Sequence, residues 1–131
     1  VFIVFLKLFP SYKKKIKMEN KFKNKEFVYT LKLEKGKYYV GYSRNIGKRI
    51  SEHMSGTGAK WTLKYRPLMV LHVQEGNEDL EYAQTILMMN LYGWENVRGS
   101  TYSSLDIKSI PDILQVYPPS NKLEFDIKVV N

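Results

Sequence analysis

The chain has 131 residues, 44% of them hydrophobic and 26% charged, which is enough for one domain with a single hydrophobic core. It contains no cysteine, and this excludes disulfide bonds, thiolate metal sites and a cysteine nucleophile. The net charge of +8 is concentrated in residues 1–25 and 32–66, whereas residues 75–112 are acidic; the basic sector fits either a polyanionic partner or a solvated lysine-rich surface.

Residues 1–25 form a lysine-rich leader that starts with a short apolar run, Val1–Leu6. This run is too short to cross a bilayer, which needs about 20 residues. Its positive charges follow the apolar run, whereas those of a signal peptide precede it. We expect residues 1–17, before Met18, to be a poorly ordered tail or a translated upstream segment, and the protein to be cytoplasmic or nuclear without membrane contact.

A β-hairpin is predicted next. The segments Glu26–Leu33 and Lys37–Tyr42 are rich in β-forming residues, and Glu34-Lys35-Gly36 supplies a tight turn between them. A helix should follow from about Arg44 to Met54, with Ser43 as its N-cap.

A third strand and a second helix follow. Pro67 opens the strand, and the near-continuous apolar run of Leu68–Val73 predicts burial on both faces. His72 within it is expected to be a hydrogen-bonded core histidine. Asn77 should cap the helix, which should end at Gly93. Its predicted core-facing residues are Leu80, Ala83, Leu87 and Leu91.

The order β-β-α-β-α predicts a small α/β domain, in which a hairpin and a third strand form a short mixed sheet flanked by helices. Residues 26–103 should form this domain, and residues 104–131 a C-terminal extension packed on it. In the extension we predict a short helix from Ser104 to Gln115, broken or entered at Pro111, and a late amphipathic strand over residues 123–129.

Several side chains that could take part in catalysis lie in a compact stretch of the sequence. Tyr29 and Tyr39 lie on the two paired strands, and Arg49 and His53 are one helical turn apart on the next helix. Phosphodiester hydrolysis needs an activated water and charge neutralisation on the phosphoryl oxygens. Phenols, an imidazole and a guanidinium suit that task.

This pattern resembles the GIY-YIG nuclease domain family over roughly residues 27–99. The second family motif is matched closely by Tyr39-Val40-Gly41, whereas Phe27-Val28-Tyr29 keeps the tyrosine of the first motif and lacks its leading glycine. The family's helix arginine falls on Arg49, and the position four residues later is His53. A lysine that follows the second motif in the excision-repair branch is replaced here by Tyr42.

Further positions extend the resemblance. The family's metal-binding glutamate falls on Glu81, and the asparagine after that helix falls on Asn96. The loop Gly56–Thr62, ahead of Arg66-Pro67, resembles that of structure-specific and homing-type endonucleases.

The resemblance implies a DNA endonuclease that depends on Mg²⁺, with Mn²⁺ as an alternative, and that acts on branched or otherwise structured DNA. Glu81 would hold the metal, Arg49 the scissile phosphate, and Tyr29 and Tyr39 the water, with His53 and Asn96 assisting. The general base stays open. A partner protein could supply specificity. The expected DNA contacts are Arg44, Lys48, Lys60, Trp61, Lys64 and Arg66.

Taken singly, these residues have simpler interpretations. Tyr29 could be a packing residue of a strand, Arg49 a solvated helix charge, Glu81 a first-turn carboxylate, and Trp61 a plug at the edge of the core. Two other functions also stay open: a catalytically inactive nucleic-acid-binding module on the same fold, and a small basic interaction protein.

Overall fold

The computed structural model describes residues 25–116. Within them, the predicted hairpin is formed by β1 (Phe27–Leu33) and β2 (Tyr38–Ser43), which pair antiparallel. A single turn of 3-10 helix, Glu34–Gly36, joins the strands. Gly36 has φ of 70° there, a left-handed conformation that glycine adopts without strain. Residues 1–24 of the leader and the predicted late strand lie outside the described residues.

The hairpin is part of a four-stranded mixed sheet with the order β3-β1-β2-β4. The strand β3 (Pro67–Glu75) pairs antiparallel with β1, and β4 (Val97–Gly99) pairs parallel with β2. The predicted α/β class with a short mixed sheet is therefore confirmed.

The prediction that β3 is buried on both faces is wrong. Its side chains Leu68, Met69 and Leu71 are 57%, 45% and 38% exposed, because β3 lies at the edge of the described sheet. The central strand β1 takes the doubly covered position instead, and six of its seven residues are buried. His72 on β3 is only half-buried, and its Nδ1 makes no hydrogen bond within the described residues, so it is not the hydrogen-bonded core histidine that we predicted.

Two helices cover one face of the sheet. The helix α1 (Ile46–Ser55) has Asn45 as its N-cap, since the Asn45 side chain accepts a hydrogen bond from the Lys48 backbone N–H. Ser43 was predicted as the cap, but its hydroxyl accepts from the backbone of Asn45 one step before the helix. A short helix that the sequence did not predict, α2 (Lys60–Lys64), follows. Both helices pack against the odd-numbered side chains of β1.

The helix α3 (Glu78–Tyr92) covers the other face. Asn77 caps it as predicted, accepting hydrogen bonds from the backbone N–H groups of Asp79 and Leu80. Its buried face differs from the prediction, because Ala83 is exposed whereas Thr85 is buried. The Thr85 hydroxyl donates to the Glu81 carbonyl, so a polar residue can face the sheet here. Met88 and Met89 pack with Val28 and Val40 in this second core cluster.

The chain after α3 forms a 3-10 turn, Trp94–Asn96, and then β4. Residues 100–111 contain no helix, and α4 (Asp112–Val116) starts directly after Pro111. The prediction of a helix from residue 104 is therefore wrong, and the alternative of a helix entered at Pro111 is correct. Leu114 of α4 is buried against α3 and the hairpin.

A buried arginine fixes the segment around β4. Arg98 is only 3% exposed, and its guanidinium donates to the carbonyl oxygens of four residues: Trp94, Val97, Ser104 and Leu105. The guanidinium carbon also lies 4.2 Å from the centre of the Trp61 ring, a cation–π contact. Arg98 thus connects the loop after β4 to α2, which lies on the face of the sheet opposite to α3.

None of the helices within residues 25–116 has the length and apolar composition that a transmembrane helix needs.

The identity of the buried face of α3 can be tested with two substitutions. Met88→Ala removes a buried side chain and should lower the free energy of unfolding by about 2–5 kcal/mol. Ala83→Gln, on the exposed side, should change it by less than about 0.5 kcal/mol. Urea denaturation of both variants measures this, and a larger effect at Ala83 than at Met88 would contradict the observed face.

Candidate active site

The two predicted tyrosines lie on the same face of the sheet, diagonally across the hairpin. Tyr29 pairs with Gly41, and Tyr39 pairs with Leu31, so the two phenol rings are neighbours with their centres 6.4 Å apart. Gly41 makes this possible. A Cβ atom at that position would overlap the Cζ and hydroxyl oxygen of Tyr29, so the Tyr29 ring lies directly over the glycine.

His53 joins the phenols from α1. Its ring centre is 5.6 Å from that of Tyr29 and 4.9 Å from that of Tyr39. The Tyr29 hydroxyl is hydrogen-bonded to Nε2 of His53 at 2.7 Å. On the other side of the ring, Nδ1 lies 2.9 Å from the hydroxyl oxygen of Thr62 on α2. His53 is fully buried, and this network uses both of its ring nitrogens.

Arg49 is the cation of the cluster. It is half-buried one turn before His53, and its Nη1 lies 3.3 Å from Oε1 of Glu52. Burial raises the pKa of both Tyr29 and Tyr39, and the nearby positive charge of Arg49 opposes that rise. Burial, together with the charge of Arg49, lowers the pKa of His53 to about 4. At neutral pH the phenols are therefore protonated and His53 is uncharged.

Glu81 approaches the cluster from the opposite face of the sheet. It lies in the first turn of α3, and its Oε1 accepts a hydrogen bond of 3.1 Å from the backbone N–H of Ser100, just past the end of β4. Burial raises the pKa of Glu81, and the hydrogen bond from Ser100 opposes the rise. The carboxylate is close enough to Tyr29 and Tyr39 to raise the pKa of both phenols. Glu81 is therefore fixed by the backbone just past the end of β4 and lies within electrostatic range of the two phenols.

The backbone at this edge is unusual. Ser100 has φ of 50°, a left-handed conformation that is uncommon for residues other than glycine. Gly99 before it packs so closely that a Cβ atom would lie 2.6 Å from the Val40 carbonyl oxygen and 2.7 Å from the Thr85 hydroxyl. This close packing holds the N–H of Ser100 toward Glu81.

The side chains near the cluster limit which metal ion the site could bind. Residues 25–116 contain no group of three or more His, Asp or Glu side chains arranged to hold one. A tetrahedral zinc site does not fit such a set. Mg²⁺ is often bound by one or two carboxylates and keeps several waters. Glu81 suits this ion, because its Oε2 accepts no hydrogen bond from the described residues and a cation would offset the unfavourable burial of its charge.

Five of the six predicted catalytic residues therefore lie near one another: Tyr29, Tyr39, Arg49 and His53 interact directly, and Glu81 lies within electrostatic range of the two phenols. Asn96 does not. Its Oδ1 accepts from Nζ of Lys37, and its Nδ2 donates to the carbonyl oxygen of Tyr92, which places it at the C-terminal end of α3. Glu81 lies at the N-terminal end of the same 15-residue helix, which is about 22 Å long.

The predicted DNA contacts divide in a similar way. Trp61 is 3% exposed and donates from Nε1 to the carbonyl oxygen of Tyr38, so it plugs the core edge and has no free face for a base. Arg44 is exposed but forms an ion pair with Glu26 at 3.2 Å. The exposed cations of α1, α2 and the following loop are Lys48, Lys60, Lys64 and Arg66.

Three residues of the site were missed by the sequence analysis. Thr62 binds His53, Ser100 binds Glu81, and Gly58 leaves room for the imidazole, since a Cβ atom there would overlap Nδ1 of His53. A threonine and a serine in loops or short helices carry no distinguishing signal. The loop Gly56–Thr62 was singled out only for its resemblance to a family loop, without a role for Gly58 or Thr62 individually.

The comparisons with known proteins agree with this geometry. A family model described as the GIY-YIG catalytic domain matches residues 25–86, which include all five clustered residues but not Asn96. A UPF0213 protein of Bacillus cereus (strain ZK / E33L) is 42% identical over 52 residues, which cover 40% of this chain and 54% of the relative.

Two other relatives show the same relationship. A UPF0213 protein of Enterococcus faecalis is 40% identical over 60 residues, covering 44% of this chain and 66% of the relative. One of Staphylococcus saprophyticus is 39% identical over 49 residues, covering 37% and 60%. The chain thus spans roughly half to two thirds of the length of these relatives, whose name states no activity. No solved structure matches the chain at a significant level.

The burial of neutral His53 predicts a pH dependence of stability. The groups that face it are Tyr29, Tyr39, Arg49 and Thr62. Since folding lowers the His53 pKa from its ordinary 6.5 to about 4, the unfolded chain binds a proton in this window that the folded chain does not. The free energy of unfolding should therefore fall as the pH drops through the window, by up to about 1.4 kcal/mol per pH unit.

Urea denaturation across this pH window measures the effect. The chain has two histidines, so the comparison uses His72→Gln and the double variant His53→Gln/His72→Gln. The first protein should lose stability more steeply than the second as the pH falls. Equal slopes would show that His53 is not buried in its neutral form.

Proposed function

We propose that this protein, whose residues 25–86 belong to the GIY-YIG catalytic domain family, is a metal-dependent endonuclease that hydrolyses phosphodiester bonds in DNA. A domain of this family is of nuclease type. The observation that carries the proposal is the convergence of Tyr29, Tyr39, Arg49 and His53 with the carboxylate of Glu81. These residues come from four different elements, and side-chain packing alone gives no reason to bring a half-buried arginine and a carboxylate to two phenols.

The cation Arg49 is proposed to bind the scissile phosphate. Its guanidinium presents a planar fork of donors that matches two phosphate oxygens, which a lysine ammonium cannot do. Arg49 is half-buried and its Nη1 already lies near Glu52, so its position is restricted before substrate arrives. A phosphate there would meet a positive charge that is partly shielded from water and therefore interacts more strongly.

The phenols of Tyr29 and Tyr39 are proposed to hold the attacking water. Both are protonated at neutral pH, because burial raises their pKa, and a neutral phenol can donate or accept a hydrogen bond. The two rings flank His53, the only imidazole in the cluster. An uncharged imidazole next to a water-binding phenol is suited to proton transfer.

Glu81 is proposed to hold the metal, Mg²⁺ or alternatively Mn²⁺. When bound, such an ion supplies Lewis acidity at the phosphoryl oxygens. The described residues contribute one carboxylate to it, already oriented by the N–H of Ser100. The remaining ligands would be waters and substrate oxygens, as is usual for Mg²⁺.

Branched or otherwise structured DNA is the proposed substrate. The exposed cations Lys48, Lys60, Lys64 and Arg66 lie on α1, α2 and the loop that follows, whereas Glu78 and Asp79 lie at the start of α3. A phosphate backbone should therefore approach over α1 and α2. These contacts are to phosphate and give no sequence specificity by themselves, and a partner protein is proposed to supply it.

Glu81→Gln tests the proposal. The variant keeps the shape of the side chain and removes its charge, so metal binding and cleavage should fall by at least about 100-fold, since metal catalysis is worth several kcal/mol. Glu78→Gln, one turn earlier and exposed, is the matched control and should keep most activity. Nicking of plasmid and of flap, junction and linear duplex DNA is measured with Mg²⁺, with Mn²⁺ and with EDTA.

Equal nicking by wild type and Glu81→Gln would show that Glu81 is not the metal ligand. Salt-sensitive binding of DNA without any metal-dependent cleavage by the wild type would overturn the endonuclease proposal and favour an inactive nucleic-acid-binding module. Failure to bind any DNA at low salt would contradict both functions.

A further inference from the structure

Thr62 has a more specific environment than a core threonine needs. It is 2% exposed, and its single hydroxyl takes part in two hydrogen bonds of 2.9 Å, one with the carbonyl oxygen of Ala59 and one with Nδ1 of His53. A carbonyl oxygen can only accept. The one proton of the hydroxyl is therefore committed to Ala59, and toward His53 the Thr62 oxygen must accept.

This assignment fixes the position of the proton on the imidazole. Nδ1 of His53 must donate to Thr62 and therefore carries the ring hydrogen. A neutral imidazole has one ring hydrogen, so Nε2 is left with a free lone pair. The Tyr29 hydroxyl, 2.7 Å from Nε2, must then be the donor in that bond. The direction of the whole chain follows: Tyr29 donates to His53, His53 to Thr62, and Thr62 to Ala59.

We propose that Thr62 is a positioning residue, which holds His53 in the tautomer with Nδ1 protonated and thereby makes Nε2 the acceptor of the Tyr29 proton. The catalytic meaning of this arrangement rests on the proposed nuclease function. The arrangement decides which way the Tyr29 hydroxyl points: its proton faces His53, so its oxygen can accept from donors on the other side, where the Arg49 side chain already interacts with it and where we place the attacking water. Tyr29 is thus a proton acceptor toward the water.

The proton balance of the step is complete with these groups. The water oxygen forms a bond to phosphorus, and the bond from phosphorus to the leaving oxygen breaks with its electron pair. One water proton passes to the Tyr29 oxygen, and the proton of Tyr29 passes to Nε2 of His53. The imidazolium then returns its proton through Tyr29 to the leaving oxygen or to solvent, which restores the starting state.

The charge on Arg49 couples this relay to the substrate. Arg49 contributes to the low basicity of His53 in the free protein. A bound phosphate would offset that positive charge, so His53 becomes a better proton acceptor when a phosphodiester is present. The relay is therefore strongest at the moment when the water must be deprotonated.

The loop around Thr62 is shaped to hold this bond. Gly58 packs so closely on His53 that a Cβ atom would overlap Nδ1, and the backbone N–H of Thr57 donates to the carbonyl oxygen of Glu52. Trp61, the residue before Thr62, donates from Nε1 to the carbonyl oxygen of Tyr38, and its ring packs against the guanidinium of Arg98. Thr62 is thus carried by a helix that is fixed to the core on both sides.

The tautomer can be observed directly. In the His72→Gln variant, His53 is the single histidine, and ¹⁵N-labelled histidine then gives one pair of ring resonances. At neutral pH the ¹⁵N shift of Nδ1 should be that of a protonated nitrogen, and the shift of Nε2 that of an unprotonated one. The opposite pattern in this protein would overturn the proposal, whatever the protein does to DNA.

Three variants in the same background test the role of Thr62. Thr62→Val keeps the shape but removes the acceptor for Nδ1–H, so the ring proton should shift to Nε2 and cleavage should fall about 10- to 100-fold. Thr62→Ser restores the hydroxyl and should restore both the ¹⁵N pattern and most activity. Thr57→Val, in the same loop but exposed, should change neither.

These outcomes separate the two proposals. Wild-type protein that never cleaves DNA but shows the expected ¹⁵N pattern, reversed by Thr62→Val, removes the nuclease function and keeps the tautomer assignment. A Thr62→Val variant with an unchanged ¹⁵N pattern overturns the positioning role. Unchanged cleavage together with a reversed pattern overturns the relay through Tyr29 and His53.

Discussion

The cluster depends on the close packing of Tyr29 on Gly41. Because Gly41 has no side chain, the Tyr29 ring can lie flat over the hairpin and place its hydroxyl 2.7 Å from Nε2 of His53. Any side chain at Gly41 would push the phenol away from the imidazole, and the hydrogen-bond chain through Thr62 to Ala59 would lose its first member. A backbone constraint on one strand thus determines the geometry of three side chains from three different elements.

Burial determines the charge state of the cluster, and this charge state suits a phosphate and a metal ion. The phenols and the imidazole are neutral at neutral pH, because burial opposes their charged forms. The charges that remain are the guanidinium of Arg49, which is paired with Glu52, and the carboxylate of Glu81, which comes from the other face of the sheet. A phosphate would lie near the guanidinium and a divalent cation near the carboxylate. The phenols and the imidazole are neutral before the reaction starts, so they can accept and pass on a proton.

The two faces of the sheet are joined at the edge by β4, which is three residues long. The backbone N–H of Ser100, just past its end, binds Glu81, and Arg98 within it stacks on Trp61 of α2. The same strand therefore positions the carboxylate and supports the helix that carries Thr62. The described partners of the buried Arg98 are backbone carbonyl groups and an aromatic ring. These contacts fix the position of the segment that binds Glu81.

Interactions between residues close in sequence were enough to predict the hairpin, the Asn77 cap, the stop at Gly93 and the order of the five longest elements, but not α2 or β4. Tyr29, Tyr39, Arg49, His53 and Glu81 were identified through the resemblance of the sequence to the GIY-YIG family, and periodicity alone placed only Arg49 and His53 on one helix face. Packing between segments distant in sequence determines the features that were not predicted. These are the edge position of β3, the exposure of Ala83, the burial of Trp61, and the location of Asn96 at the C-terminal end of α3, away from Glu81. The role of Thr62 also depends on tertiary packing. Its hydroxyl can fix the tautomer of His53 only because folding brings the two side chains, nine residues apart in the sequence, within hydrogen-bond distance.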